Sequence, residues 1–203
     1  MRKLFSFLLT TVDGYYEGPN HGFDWPKVDA EFNDFALEQL DEVDMLLFGR
    51  VTYEMMAAYW PTPAAEQNDP RITARMNSIP KVVVSGTLHS AGWSNTRLIK
   101  GVDELRGLKE QPGKSIALFG SSDLTVSLLE MGLVDEVRIM VNPVVLGAGK
   151  SAFSTAGERI DLELVKSQPF ASGNVLLSYE PSARETSHRE ASSRPMSRTR
   201  AGP

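Results

Sequence analysis

Six short, continuous apolar runs constrain the fold of this chain more than any other feature. They are rich in Val, Leu and Phe, and segments with helical periodicity lie between them. Runs of this length predict strands that are buried on both faces, as in a parallel sheet covered by helices. The sequence therefore predicts an α/β domain with a mostly parallel sheet. The runs span residues 4–12, 44–49, 81–86, 115–120, 136–147 and 175–180.

Two of the intervening segments have the apolar spacing of an amphipathic helix. The second segment also carries signals for both of its ends. Ser121 or Ser122 can cap its N-terminus, and Gly132 fits a left-handed stop. The first apolar face comprises positions 32, 35, 36 and 40, and the second comprises positions 124, 128 and 131.

The last part of the chain divides into a predicted hairpin and a polar tail. Residues 162–170 and 175–180 read as two strands joined by a short turn, which predicts an antiparallel hairpin at the sheet edge. Residues 181–203 contain five arginines and almost no apolar side chains. Such a segment cannot offset its ordering entropy by burial, so we expect a disordered basic tail after a domain of residues 1–180. A basic tail can bind an acidic partner, but a solvated extension is the simpler interpretation.

Bulk composition excludes several functional classes. A chain of 203 residues with 41% hydrophobic composition can bury one core. Its formal net charge of -5 argues against a nucleic-acid footprint over the whole chain. It has no cysteine, and no apolar stretch approaches the roughly 20 residues that a membrane span needs. We expect a cytoplasmic protein without disulfides or a thiolate nucleophile.

Three of the apolar runs end alike, in LLFGRVT, VVVSGTL and IALFGSS. Each has a glycine just beyond a predicted strand, followed by hydroxyl or cationic residues. In open α/β sheets ligands bind outside the carboxyl ends of the strands, so these junctions are expected at one edge. The helix after Gly120 presents free N–H groups that attract an anion, and Arg50 offers a fork that matches a phosphate. The pattern predicts a nucleotide site, although turn chemistry and a surface ion pair of Arg50 are the alternative.

Two further glycine patterns have weaker support. Residues 147–152 match the dinucleotide pattern G-x-G-x-x-A, and residues 149–151 resemble part of a phosphate loop. The segment that follows lacks an apolar helical face, so the first pattern loses the helix dipole on which it depends. We expect these glycines to form a flexible segment beside the site.

Catalytic side chains are scarce in this sequence. The three histidines lie far apart, which gives no support to a metal site or a nucleophilic triad. Hydride transfer requires neither, because a reduced nicotinamide carries the chemistry. The candidate proton donors are Asp13, Asp29 and Glu31, although acids in a first helical turn are also favoured by the helix dipole.

Taken in order, the motifs TTVDGYYEGPN, LLFGRVTYEMM and the run from residue 119 to 153 resemble the dihydrofolate reductase-like family. The similarity covers residues 1–180 and is greatest to the branch that contains the reductase domain of the bifunctional riboflavin-pathway deaminase-reductase and its stand-alone relatives. It implies a three-layer α/β fold with a C-terminal antiparallel hairpin, NADPH as hydride donor, and a homodimer.

The same resemblance implies roles for individual residues. Gly86 stands where many relatives have an arginine, so a preference for NADPH over NADH rests on Arg50. Asp13 and Asp29 are the implied catalytic acids, and Trp25 and Phe32 fall in the substrate pocket. The cofactor-binding residues implied by the motifs are Gly49, Arg50, Thr52, Ser85, Gly120, Ser121, Ser122 and Leu124.

The resemblance predicts an NADPH-dependent reductase of a small substrate, specifically a 5-amino-6-(5-phosphoribosylamino)uracil reductase of riboflavin synthesis. Dihydrofolate reduction is the first alternative within enzymes. A nucleotide-binding module without catalysis is the alternative from another class, and a purely structural dimer is the third.

Overall fold

The computed structural model describes residues 1–182, which form an eight-stranded sheet with helices on both faces and a separate two-stranded sheet. The large sheet has the order β5-β4-β3-β6-β1-β7-β10-β9. Its strands are β1 (Leu4–Thr11), β3 (Val43–Gly49), β4 (Lys81–Val84), β5 (Thr96–Ile99), β6 (Ser115–Phe119), β7 (Glu136–Asn142), β9 (Leu162–Pro169) and β10 (Val175–Pro181). The small sheet pairs β2 (Tyr15–Glu17) with β8 (Lys150–Ser151). The helices are α1 (Ala30–Glu42), α2 (Arg50–Tyr59), α3 (Pro63–Asn68), α4 (Pro70–Ser78), α5 (Val102–Glu110) and α6 (Ser122–Glu130).

Successive residues of the central strands enter two different cores. In β3, Leu47 packs with residues of α5 and α6, whereas its neighbour Leu46 packs with residues of α1, α2 and α4. Ile116 and Ala117 of β6 divide in the same way. Because both faces of the sheet are covered, the strands need continuous apolar runs, as the sequence predicted.

The pairing pattern confirms the mixed sheet. The six strands β5, β4, β3, β6, β1 and β7 run parallel to one another, and β10 is antiparallel to both β7 and β9. The turn of the hairpin is closed by hydrogen bonds from Phe170 N to Asn174 O and from Gly173 N to Phe170 O. The α/β three-layer fold with a C-terminal antiparallel hairpin is therefore correct.

Helix α6 ends as its sequence predicted and begins differently. Gly132 has a φ of +66°, and Leu133 N donates to Leu128 O at 2.8 Å, which closes the C-terminus. Ser121 occupies the N-cap position, but its side chain makes no capping hydrogen bond because the residue is left-handed, with a φ of +59°. The predicted capping role of this serine is wrong, and its conformation serves the turn that is described below.

The glycine segment after β7 contains no helix, in agreement with its sequence. A side chain at Gly149 would lie 2.1 Å from Glu17 O, because this backbone packs directly on β2. The tail predicted for residues 181–203 starts too early, because Pro181 is the last residue of β10 and Ser182 N donates to Asp161 O at 2.9 Å. Residues 183–203 lie outside the described residues. No helix in residues 1–182 combines the length and the apolar character that crossing a membrane requires.

Candidate functional site

The three glycine junctions lie at one edge of the sheet. Strand β3 is flanked by β4 and β6, and all three run parallel. The register places Gly49 opposite Val84, and Leu47 opposite Leu118. Gly49, Ser85 and Gly120 therefore follow neighbouring strands at the same carboxyl edge, where open α/β sheets bind ligands.

Two of these junctions are in direct contact. A Cβ atom added at Gly49 would lie 2.6 Å from Ser121 Oγ, which is closer than side chains approach one another. A Cβ atom at Gly120 would lie 2.9 Å from the Tyr16 hydroxyl and 3.0 Å from Thr52 Cγ2. A side chain at either position would displace a neighbouring side chain, and Gly120 is also left-handed, so both positions favour glycine and the two strand ends form one surface that leaves the backbone accessible.

The turn before α6 has the geometry of an anion-binding nest. Gly120 and Ser121 are left-handed, with φ values of +68° and +59°, and Ser122 begins the right-handed α6, so the backbone changes hand between Ser121 and Ser122 as in a nest. Ser121 N donates to the Tyr16 hydroxyl at 2.8 Å. The hydroxyl of Ser122 is buried and has no hydrogen-bond partner among the described residues, which marks a polar group available to a ligand.

The charge in the first turn of α6 is balanced. Asp123 is an acid at a helix end that would otherwise attract anions. Its Oδ2 atom lies 2.7 Å from Lys150 Nζ, so the ammonium neutralises it. The helix N-terminus keeps its capacity for an anionic group. We name the surface formed by Gly49, Gly120, Ser121 and Ser122 the cradle.

The other predicted cofactor residues lie around the cradle and differ in how far their side chains are already bonded or buried. Arg50 is the first residue of α2, and its Nη1 atom donates to Glu54 Oε2 at 2.8 Å on the surface. Ser85 Oγ accepts hydrogen bonds from Thr87 N at 3.2 Å and from Leu88 N at 2.9 Å. Thr52 is buried between the cradle and the adjacent pocket. Leu124 packs against the core beneath the cradle.

A pocket of about 390 Å³ opens beside the cradle, between α1, α2 and α4. This volume lies within the roughly 300–1,000 Å³ typical of small-molecule sites. Thr52 and Gly120 belong to both the cradle region and the pocket. The wall is mostly apolar and comprises Phe7, Leu9, Phe23, Pro26, Val28, Phe32, Ala36, Leu40, Met55, Met56, Trp60, Ile72, Met76 and Phe119, with Tyr16, Asp24 and Gln39 as further polar members.

Asp13 holds a loop in place. Its carboxylate accepts hydrogen bonds from Thr11 Oγ1 at 2.5 Å, from Gly147 N at 2.8 Å and from Leu146 N at 3.1 Å. The Thr11 hydrogen bond, followed by those from the backbone, lowers the pKa of Asp13. Asp13 is also absent from the pocket wall. These contacts favour a role as loop anchor, and its role as a proton donor stays a prediction.

The other predicted residues of the substrate side divide between the pocket and its surroundings. Phe32 lines the pocket. Asp29 caps α1, with Oδ1 accepting from Phe32 N at 2.9 Å, while a carboxylate oxygen of Glu31 accepts from Ala171 N at 2.8 Å. Trp25 packs edge-on against Phe23 behind the pocket wall, and its buried indole N–H has no partner among the described residues. The catalytic role of Asp29 stays a prediction.

Sequence reasoning missed Tyr16 and Gln39. The Tyr16 hydroxyl touches both Ser121 and Gly120, which are more than 100 residues away along the chain. Burial raises the pKa of Tyr16, so its hydroxyl stays protonated over the physiological range. The repeated tyrosines in TTVDGYYEG gave a weak signal for this residue. Gln39 interrupts the apolar face of α1, and a polar residue at a core position was the available signal.

Comparison with known proteins decides the family. The profile of the RibD C-terminal domain matches residues 2–176. The chain belongs to this family. A relative of this chain, the uncharacterized protein YyaP of Bacillus subtilis (strain 168), is 33% identical to it over 184 residues. These residues cover 88% of this chain and 94% of that protein.

Solved structures confirm the dihydrofolate reductase-like fold of this RibD C-terminal domain. A Shewanella sp. PV-4 protein assigned to riboflavin biosynthesis superposes with a TM-score of 0.68 at 24% identity, covering 89% of this chain and 99% of that chain. Dihydrofolate reductase from Enterococcus faecalis, complexed with NADP(H), superposes with a TM-score of 0.60 at 14% identity, covering 89% and 97% of the two chains. At these identities the similarity shows the fold.

Proposed function

We propose that this RibD C-terminal domain protein is an NADPH-dependent reductase of a small substrate. The observation that carries the proposal is the position of the cradle, which meets an apolar pocket at Thr52 and Gly120. A cofactor that spans both would place its phosphates on backbone N–H groups and its reactive ring against the pocket. The NADP(H) complex of a structural neighbour supports the same choice of cofactor.

The residues of the cradle fit the pyrophosphate of such a cofactor. Gly49 and Gly120 keep the backbone free of side chains, and Ser122 offers a buried hydroxyl that lacks a partner among the described residues. Arg50 is the cation that we assign to the additional phosphate of NADPH. When bound, NADPH supplies the hydride.

The chain itself positions the substrate against an apolar wall and leaves water access at the rim. Three of the four phenylalanines in the pocket wall form a cluster, in which Phe7 packs against Phe32 and Phe119 with ring centroids 6.5 and 6.2 Å apart. Thr52 and Tyr16 place hydroxyl groups where the pocket meets the cradle. Asp24 is the carboxylate of the pocket wall and lies at the exposed rim, where water has access. We assign the proton that accompanies the hydride to water at this rim.

Ligand-dependent thermal unfolding tests the proposal directly. The melting temperature of the full chain is measured with NADPH, NADH and ATP in parallel, since selective binding stabilises the native state. We expect NADPH to raise it most. No shift with any nucleotide would contradict the proposal, and a shift with ATP alone would favour a nucleotide-binding module without reductase activity.

Replacing Arg50 with alanine tests the choice of NADPH over NADH. We expect the dissociation constant to rise about fivefold for NADPH and little for NADH, because a charge-assisted hydrogen bond to phosphate is lost. The matched variant is Glu54→Gln, which removes the competing carboxylate and should tighten NADPH binding. Both constants come from titration calorimetry, and an equal loss for the two nucleotides in Arg50→Ala would remove the assigned role.

The specific substrate is a separate question within the same proposal. The names of two structural neighbours supply the candidates, 5-amino-6-(5-phosphoribosylamino)uracil from a Thermotoga maritima deaminase and reductase, and dihydrofolate from the Enterococcus faecalis enzyme. Oxidation of NADPH with each compound distinguishes them. We also propose a cytoplasmic homodimer that pairs through β9, where Leu164 and Val165 are 55% and 51% exposed at the sheet edge. Light scattering of the purified chain tests the dimer.

A further inference from the structure

The pocket wall contains no lysine, arginine or histidine among the described residues. Its one ionisable group that is charged at neutral pH is Asp24, an exposed acid at the rim. An anionic substituent inside this pocket would lose its hydration without gaining a counter-charge, and the nearby carboxylate would repel it. The lining therefore selects against phosphate and sulfonate groups.

The polar side chains of the pocket wall differ in their position relative to the cradle. The Tyr16 hydroxyl accepts from Ser121 N and lies beside Thr52, so both belong to the junction with the cradle. Gln39 lies on α1 and is 1% exposed to bulk solvent, yet it lines the pocket. It is the buried polar residue of the wall that lies away from the cradle.

A neighbouring ion-pair network contacts the oxygen of the Gln39 amide. Gln39 Oε1 accepts from Arg138 Nη1 at 3.5 Å. Arg138 is in turn held by Glu136 at 2.8 Å and by Glu42 at 2.9 Å, and its guanidinium stacks on the Phe5 ring at 3.8 Å. The amide oxygen is the atom that meets the cation, and the amide nitrogen donates no hydrogen bond within the described residues. A buried amide with two free donors is suited to an acceptor on a ligand.

We propose that the pocket binds an uncharged planar ring compound and that Gln39 donates a hydrogen bond to a carbonyl oxygen or ring nitrogen on it. The aromatic and methionine side chains of the wall supply the contact surface for the ring faces. The inference deepens the proposed function, because it specifies the substrate class of the same site. It also separates this protein from a reductase whose substrate carries a phosphate into the pocket.

A matched pair of probes tests the charge selectivity. The full chain is titrated by calorimetry with 1,4-naphthoquinone and with 1,4-naphthoquinone-2-sulfonate, which share the ring and the carbonyl acceptors and differ in the anion. The chain has no cysteine that a quinone could alkylate. We expect the uncharged compound to bind at least about tenfold more tightly. Equal or tighter binding of the sulfonate, or of 5-amino-6-(5-phosphoribosylamino)uracil, would overturn the charge rule, and so would the absence of binding by either quinone.

Two substitutions test the donor. Gln39→Glu preserves the shape of the side chain and the Arg138 contact, but it replaces the donor nitrogen with oxygen, and Gln39→Leu removes both polar atoms. We expect each variant to bind 1,4-naphthoquinone about three- to tenfold more weakly, the range for one lost hydrogen bond. Unchanged affinity in Gln39→Glu would overturn the role of the donor.

Two controls keep these outcomes distinct. Thermal unfolding of each Gln39 variant shows whether the fold is retained, and NADPH-dependent stabilisation is measured on the same samples. We expect this stabilisation to equal that of the wild type, because Gln39 lies away from the cradle. If NADPH fails to bind even the wild type, the proposed function fails; if NADPH binds but the probe preferences are reversed, only the substrate class fails.

Discussion

The two edges of the parallel sheet differ in whether their buried polar groups have hydrogen-bond partners. At the carboxyl edge, Gly49 and Gly120 leave backbone accessible, and Ser122 has a buried hydroxyl without a partner among the described residues. At the amino edge, Lys109 Nζ is buried and binds both Leu133 O and Asp135 Oδ2 at 2.6 Å. At the amino edge, buried polar groups are therefore paired and stabilise the fold. The carboxyl edge leaves polar groups without partners, and the proposed function assigns them to the cofactor.

Replacing Lys109 at the amino edge should lower the free energy of unfolding more than any of the changes that follow. Lys109→Met keeps most of the volume but leaves Leu133 O and Asp135 without their cation, so we expect a loss of about 3 kcal/mol in the free energy of unfolding. Chemical denaturation measures this loss. Lys100→Met, at an exposed position between β5 and α5, is the control and should stay within about 0.5 kcal/mol. NADPH affinity of the folded Lys109→Met protein should be unchanged, and a weakened affinity would contradict the separation of the two edges.

The second cation of the amino edge predicts a pH dependence. Lys81 is 1% exposed, and burial lowers its pKa from 10.5 to about 8. Between these two values the unfolded chain binds a proton that the folded protein has released, so stability should rise with pH, on the order of 1 kcal/mol per unit. Denaturation of wild type and Lys81→Met between pH 8 and 9.5 measures the difference. A Lys81→Met curve that rises as steeply as the wild type would contradict the assignment.

At the carboxyl edge, Gly49→Ala should affect ligand binding more than the fold. The new methyl group would lie 2.6 Å from Ser121 Oγ and displace the turn that begins α6. We expect NADPH to bind about tenfold more weakly, which corresponds to about 1.4 kcal/mol. Gly107→Ala is the control, since that position is open and lies within α5. A double variant, Gly49→Ala with Ser121→Gly, should recover part of the affinity if the contact with the serine side chain causes the loss.

Replacing Ser122 should have the smallest effect, and it separates stability from ligand binding at the carboxyl edge. Ser122→Ala removes a hydroxyl that has no partner among the described residues, so the free energy of unfolding should change by less than about 0.5 kcal/mol. NADPH binding should weaken about threefold, because the hydroxyl is reserved for the ligand. Calorimetry and denaturation on the same sample measure both quantities. A destabilised protein with normal NADPH affinity would reverse the interpretation of this residue.

The sequence predicted the elements whose physics is local. Continuous apolar runs predicted buried strands because both faces of the sheet are covered. Gly132 predicted the end of α6 because the left-handed conformation favours glycine. The three glycine junctions were also placed at one edge, since parallel strands of one sheet share that edge.

The remaining features depend on distant residues and were not predictable in the same way. Tyr16 meets Ser121 only through the fold, and the orientation of Gln39 depends on Arg138, which lies on β7. Asp13 is an example of a residue type that fits two roles. From the sequence it is a candidate acid, and only its three loop hydrogen bonds favour an anchor instead.

The contact between Tyr16 and Ser121 has a consequence for the protein before any cofactor arrives. The Tyr16 hydroxyl already accepts the hydrogen bond of one backbone N–H of the nest, as a tightly held water molecule would. It therefore reduces the cost of leaving that N–H without an anion. A nucleotide that takes this amide must swing the ring aside. Tyr16 lies on β2, which pairs with β8 directly after the glycine segment of residues 147–149, so one strand pair joins that segment to the cradle.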